Sequence, residues 1–509
     1  MNKIVGGNGN GNGNGANGLL EQPKKRAAQP SAVASAAEAK ESRVAFQTHD
    51  GLKLHGTPAR VTRHQAVFEL YSPAAIPRLS EALDPFQITL QGRTVYSGRA
   101  VVRNVVDAGA KVVCEATLDE THWTDLNLVL ALQKDGQIAR EFKAFLKDWQ
   151  KFYKMSPEFK IVVADMQTFL HDLRLWLDRV ELQIRASPSA VSAQLEQRII
   201  EQLAEPIIQG IDTFIERFES IAARLDADLQ PAHRAYLRRQ WHPLVLCSPF
   251  AQRAYEKPLG YAGDYQLVDM MIRPPYEGNT LFAKIINAWL LKQSPTQGHR
   301  NRIKYLTERI ELETYRIARA GGTARVFNFA CGPAVEVQNF FRSSFSEKVE
   351  LTLADFNDET LEHARQTLGK IKNLLQLQTP VRFQKKSVVQ LIRESHQLAA
   401  AGKPQYDFVY CAGLFDYLPD PTCKQLMNIF YAFLAPGGLL VTTNVNDALN
   451  ASRPFRYSME YILDWNLIYR SRNQMVELVP DCVAAEDVIV TTEGTGTNVF
   501  LEVRKPSHA

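Results

Sequence analysis

Cysteine pairs are missing from this chain. Its six cysteines (Cys114, Cys247, Cys331, Cys411, Cys423 and Cys482) form no CxxC pair and no Cys/His group at metal-ligand spacing. That argues against a disulfide framework and a structural zinc site, and for reduced thiols in a cytoplasmic protein. Long apolar runs are missing too: none approaches the roughly 18 residues that a bilayer-spanning helix needs. The first residues lack the charged-then-apolar order of a signal peptide. Nor does one sign of charge prevail. A net charge of +4 over 509 residues gives no electrostatic argument for nucleic acid. What remains is an ordinary globular composition, 45% hydrophobic, in a chain long enough for several domains.

Residues 1–40 are of low complexity and offer nothing that could bury a core. Gly6 to Gly18 is nearly all Gly and Asn, followed by Lys24, Lys25 and Arg26, so a disordered tail is expected. Over 41–130 the pattern changes to short alternating segments. Val44–Thr48, Lys53–Thr57, Ala66–Tyr71, Phe86–Leu90 and Lys111–Ala116 read as strands, with turn signals at His49-Asp50-Gly51 and Ala108-Gly109. Five or six such strands make a small β-barrel. Residues 137–245 read as helical. Val162, Met166, Phe169, Leu173, Trp176 and Val180 form one stripe, and Ile207, Ile211, Phe214, Phe218, Ile221 and Leu225 another. Two such helices pair with each other or with a second subunit, so a homodimer through this region is one expectation. His171 and His233 are expected at the surface.

Residues 246–505 carry the chemistry. The apolar run Arg325–Ala334, RVFNFACGPA, reads as a buried strand ending in a tight turn, and a second strand, Leu351–Ala354, ends on Asp355. A small-residue βα turn followed by an acid after the next strand is how a doubly wound sheet holds an adenosine. The turn admits the ligand and the carboxylate accepts from the ribose hydroxyls. An Asp after a strand is also a common helix N-cap, and Pro436-Gly437-Gly438 is ordinary turn punctuation. What gives these pieces meaning is their order with Tyr406–Leu418, YDFVYCAGLFDYL, and Leu434–Val441, LAPGGLLV.

Taken together these segments resemble the class I S-adenosyl-L-methionine (SAM) methyltransferases, whose first turn typically reads apolar-Asp-apolar-Gly-Cys-Gly-x-Gly. Here Asn328 replaces the acid, Ala330 and Ala334 replace the outer glycines, and Gly332 alone is kept. Alanine suits those positions where φ is negative. The resemblance implies SAM as cofactor. The cofactor-binding candidates are Asn328, Ala330, Gly332, Asp355, Phe356 against the adenine, Ser387 at the adenine amino group, and Gly413. Cys331 is expected to pack in the turn rather than act as a nucleophile. The catalytic candidates are Asp416 and Tyr417, with Tyr261 from the loop Tyr255–Tyr265, YEKPLGYAGDY. Asn444 and Asn446 also stand near the expected acceptor position. In the helix opened by Gln297–Arg302, an arginine (Arg300 or Arg302) is placed to pair the methionine carboxylate. The aromatic insertion Arg453–Arg470 supplies a lid with Phe455, Met459 and Trp465 on its apolar side and Arg453 and Arg456 as cations.

From GYAGDY through MEYILDW the chain further resembles a bacterial family that makes the extracellular signal 3-hydroxypalmitic acid methyl ester. That implies a small-molecule, fatty-acid-like acceptor methylated on its carboxyl group, which needs no general base. The N-terminal strands resemble a PilZ domain, the cyclic-di-GMP receptor module, but of its RxxxR arm only Arg43 stands at the first strand, and Arg63–Ala66 stands where the second ligand motif belongs. The expected architecture is therefore multi-domain: a PilZ-like barrel, a helical region and an α/β Rossmann-like methyltransferase. Two other readings stay open. One is a SAM enzyme with a different acceptor, and the other is a non-catalytic signalling protein on a degenerate SAM fold.

Overall fold

The computed structural model describes residues 42–49, 51–71, 76–90, 93–107, 111–124, 139, 142, 143, 146, 155–398, 405–447 and 455–507. The expected tail 1–40, the Ala108-Gly109 turn, most of 137–154 and Arg453 lie outside the described residues. Strands β1 (Arg43–Gln47), β2 (Lys53–Thr62), β3 (Gln65–Tyr71), β4 (Ala82–Leu90), β5 (Arg93–Asp107) and β6 (Lys111–Leu118) close into a barrel in the order β1-β2-β3-β6-β5-β4. Alternate residues point inward, as the period of two requires: Val112, Cys114, Ala116 and Leu118 of β6 are buried. They pack with Phe46, Phe68, Phe86 and Tyr96. The longest strand, β5, escaped the sequence reading because Gly98 and Arg99 interrupt its apolar alternation.

Helix Pro157–Arg185 starts at Ser156, whose hydroxyl accepts from the Phe159 N–H, and Pro157 supplies the first-turn geometry. It packs against the next helix, Ser189–Ala222, with Phe159 beside Phe218 and Phe169 beside Phe214, so the two pair within the chain. The first stripe faces the core as expected except at its fifth position: Val162 and Met166 are buried and Phe169, Leu173 and Val180 pack against them, whereas Trp176 is 47% exposed. Val163, Leu170 and Leu177, one position on from stripe residues, are buried as well, so the apolar face is wider than a single stripe. His171 is exposed as expected, but His233 is 1% exposed. Its Nδ1 donates to the Leu229 carbonyl and its Nε2 accepts from the Ser156 N–H. Burial holds its pKa below the ordinary value, so it is a satisfied core histidine. The same apolar core continues to Leu291 and takes in Phe455–Trp465.

Seven strands build the C-terminal sheet: β7 (Ala324–Phe329), β8 (Val349–Asp355), β9 (Val381–Lys385), β10 (Tyr406–Cys411), β11 (Leu434–Val445), β12 (Val488–Thr492) and β13 (Asn498–Arg504). Their order is β12-β13-β11-β10-β7-β8-β9, parallel except for β13, which runs antiparallel to β11 and β12. This is the strand order of the class I methyltransferase fold. The chain turns one way from β7 to β8 and the other way to β10, and ligands of such sheets bind in the crevice at that switch point. Among the described residues no helix is long and apolar enough to cross a membrane, and no group of three or more His, Cys, Asp or Glu is placed to hold a metal.

Candidate cofactor and acceptor site

At the switch point lies a cavity of about 220 Å³ lined by the ends of β7, β8 and β10, by the loop containing Tyr261, and by the 455–467 segment. The turn after β7 leans towards β8 because the Cys331 N–H donates to the Ala354 carbonyl. That contact brings the Gly332 N–H to Asp355 Oδ2 at 3.1 Å, while the Asn357 N–H holds Oδ1 at 3.1 Å. Each carboxylate oxygen keeps a second lone pair for an incoming hydroxyl. Burial raises the Asp355 pKa against these donors. Gly332 has φ +53°, and a Cβ built there meets nothing within 4 Å: it faces the cavity.

The outer positions of the turn correct the expectation of negative φ. Ala330 sits at φ +61° and Ala334 at φ +52°, in the left-handed region. Such a conformation costs an L-residue roughly 1–2 kcal/mol. We expect Ala330→Gly to stabilise the protein by about 1 kcal/mol, read as a rise in thermal midpoint. The fully buried methyl of Ala334 offsets most of that gain at the other site, since a buried methylene is worth about 0.8 kcal/mol. A fall in midpoint for Ala330→Gly would show that its methyl contacts outweigh the strain.

The carboxylate missing at Asn328 is supplied eight residues on. Asn328 is buried and donates through Nδ2 to Glu336 Oε1 at 3.1 Å, and the Tyr410 hydroxyl donates to the same oxygen at 2.9 Å. Burial raises the Glu336 pKa. Sequence reasoning missed Glu336; its signal is a single acid in the otherwise apolar start of helix Val335–Phe340. Cys331 is buried, and desolvation with Asp355 and Glu336 nearby drives its thiol pKa well up, against any role as a nucleophile.

Of the expected arginines, Arg302 reaches the cavity and Arg300 instead donates to the Met271 carbonyl. Arg302 Nη2 donates to His299 Nδ1 at 2.8 Å, and its Nη1 lies 4.0 Å from Asp416 Oδ2. Burial and the two arginines push the His299 pKa well down, so this imidazole is neutral and an acceptor. Gly413 lines the same cavity, and the Arg302 guanidinium lies 3.1 Å from where its Cβ would stand.

Asp416, Tyr417 and Tyr261 are brought together with these groups. Asp416 is 4% exposed; its Oδ1 accepts from the Val445 N–H at 2.7 Å. Burial raises its pKa to about 6 against the pull of Arg302. The Tyr417 hydroxyl accepts from Trp465 Nε1 at 2.9 Å, and the Tyr261 hydroxyl is 3.3 Å from Thr360 Oγ1. Desolvation raises both phenol pKa values, which rules against phenolate bases near neutral pH. Three candidates are not brought to the cavity as expected. Ser387 lies elsewhere: its hydroxyl accepts from the Gln390 N–H and caps helix Val388–Leu398. Asn444 is spent on structure, accepting from Arg470 and donating to the Val445 and Ile468 carbonyls. Asn446 donates to the Gly496 carbonyl.

The expected lid is present on its apolar side, with Phe455, Met459, Leu463 and Trp465 lining the cavity. It is pinned from behind. Glu219 accepts from the Tyr457 and Ser458 N–H groups, and Lys257 Nζ donates to the Leu463 carbonyl. Arg456 faces away and pairs with Glu460.

No protein-family model matches the chain, and no curated protein matches it. Among solved structures, a possible exported protein from Bordetella parapertussis is 15% identical, with a TM-score of 0.39 over 63% of this chain and 99% of that one. Magnesium protoporphyrin IX methyltransferase from Synechocystis PCC 6803 with bound SAH (S-adenosylhomocysteine) is 11% identical, TM-score 0.30, over 42% of this chain and 87% of that one. N-methyltransferase NodS from Bradyrhizobium japonicum WM9, in complex with SAH, is 14% identical, TM-score 0.29, over 48% and 98%. Likeness at this level carries no argument about activity. The fold assignment rests on the strand order.

Proposed function

We propose that this chain is a SAM-dependent methyltransferase acting on a small, fatty-acid-like carboxylic acid. The observation that carries the cofactor reading is the Asp355 carboxylate, held by the Gly332 and Asn357 N–H groups at the switch point with acceptor capacity to spare. In this reading Asp355 takes the ribose hydroxyls, Phe356 flanks the adenine, and Arg302 pairs the methionine carboxylate. When bound, SAM supplies a methyl group on a sulfonium leaving group. The chain's part is then to align and desolvate, since in-line displacement needs little else from the protein. Phe455, Met459, Leu463 and Trp465 exclude water from the acceptor side, and a carboxylate acceptor arrives already ionised.

One observation favours a second acceptor class. Asp416, with a pKa raised to about 6, is the group in the cavity best poised to take a proton near neutral pH, as an amine or hydroxyl acceptor would require. We read the barrel as PilZ-like and not as a nucleotide receptor, because its arginine arm is reduced to Arg43. Calorimetric titration with SAH tests the cofactor reading, with micromolar binding as the expected result and no binding as the outcome that ends it. Methyl transfer from labelled SAM to 3-hydroxy fatty acids, against matched amines and alcohols, decides the acceptor. Labelling of only the amines or alcohols would overturn the carboxyl assignment.

A further inference from the structure

The barrel reaches into the cofactor cavity through the segment leading to β4. Arg78 and Leu79 line it beside Asp355 and Phe356, and Arg78 also lines a separate cleft of about 1590 Å³ between the barrel, the helices and the sheet. The Arg78 guanidinium carbon lies 4.6 Å from the centre of the Phe356 ring. The His49 ring meets Phe356 in a T-shaped contact with centroids 4.9 Å apart, and Tyr261 does so at 5.1 Å. Phe356 is the residue directly after the ribose-binding candidate, and two barrel residues contact its ring.

One buried carboxylate organises both of those residues. Glu81 is 1% exposed. Its Oε1 accepts from the His49 backbone N–H at 3.0 Å and contacts His49 Nδ1 at 2.6 Å, while Oε2 accepts from the Arg78 N–H at 2.6 Å. The segment is fastened to the rest of the site as well. The Ala82 N–H donates to the Gly260 carbonyl at 2.7 Å, and Ser80 Oγ donates to the Asn466 carbonyl at 2.8 Å. Gly260 packs so tightly against His49 that an added Cβ would stand 2.6 Å from the histidine Cβ. A buried carboxylate is tolerated where hydrogen bonds compensate its lost hydration, and both oxygens of Glu81 have such partners.

We propose that Arg78 and His49 of the barrel are positioning residues for the adenine end of the cofactor, clamping Phe356 in place under the direction of Glu81. The proposal rests on the SAM reading above. The barrel is then part of the cofactor site and not an appended module. Arg78 is half-buried with its charge over an aromatic face, an arrangement that holds the ring without closing the cavity.

A double-mutant cycle on the full chain separates positioning from general destabilisation. Arg78→Met is expected to weaken SAH binding by about three- to tenfold, with the thermal midpoint close to that of the parent. In a Phe356→Leu background the same change should have no further effect, because its action runs through the ring. His49→Leu, run through the same cycle, gives a second route to the answer. Equal SAH affinity in Arg78→Met and parent, or additive losses across the cycle, would overturn the proposal. Failure of the parent protein to bind SAH would instead strike the cofactor reading itself, so the two failures are distinguishable.

Discussion

Replacing Gly332 with valine is expected to remove SAH binding, by about a hundredfold or more, while the protein remains folded. The expectation comes from where the missing side chain would go. A Cβ at Gly332 meets no protein atom within 4 Å, so the space it would enter is the cavity, whose volume is only about 220 Å³. The backbone amide of the same residue holds Asp355, so a branched side chain would crowd the ribose position directly. The folded state should survive because the penalty is local: a left-handed φ costs a non-glycine residue roughly 1–2 kcal/mol, against a typical stability of about 5–15 kcal/mol. The check is calorimetric titration together with circular dichroism and a melting curve. A folded Gly332→Val variant that binds SAH like the parent would place the ligand away from this turn.

The fold was legible where one signal dominated and obscure where neighbours decided. The sheet could be read because buried strands such as Phe408–Cys411, and Val499–Leu501 of β13, are continuous apolar runs. The barrel strand β5 was lost because a glycine and an arginine fall inside it. The helix Pro157–Arg185 and most of its core stripe were legible, but Trp176 was not, since Leu177 at the adjacent position takes the core instead. His233 shows the same limit: only the approach of the Ser156 N–H from another element makes it a core residue.

The site was legible in proportion to how local each contact is. Gly332 and Asp355 belong to consecutive βα units, and their pairing follows from the sheet. Ser387 has a second claim on its hydroxyl, the helix it precedes, a competition common to serine at helix starts. Glu336 went unseen because its meaning depends on Asn328 and Tyr410 meeting it in space. Arg78, His49 and Glu81 lie far from Phe356 in sequence, and no spacing rule connects them. The alanines of the turn are a further case. Their identity is visible in the sequence, but the strain they bear belongs to the backbone, and it is held there by the Cys331 and Gly332 hydrogen bonds to β8.

Replacing Asp355 with alanine is expected to weaken SAH binding by about 1.5–3 kcal/mol, the range for hydrogen bonds to a charged group, or roughly ten- to 150-fold in affinity. The variant also strands the Gly332 and Asn357 N–H donors, so part of the loss will come from a looser turn. Asp355→Asn separates the two effects, because its side-chain oxygen still accepts one of those bonds while the charge is gone; its affinity should fall between the parent and the alanine variant. The pH response gives an independent check. Burial raises the Asp355 pKa, and the ionised form is the better acceptor for ribose hydroxyls. Affinity should therefore decline as pH falls, starting above the ordinary aspartate range. Asp416, at about 6, titrates in the same cavity, so the informative quantity is the difference between the parent and Asp355→Asn profiles. That difference should vanish at low pH, where the parent carboxyl is protonated, and be largest at neutral pH. Profiles that stay parallel throughout, or an alanine variant with unchanged affinity, would remove Asp355 from the cofactor site.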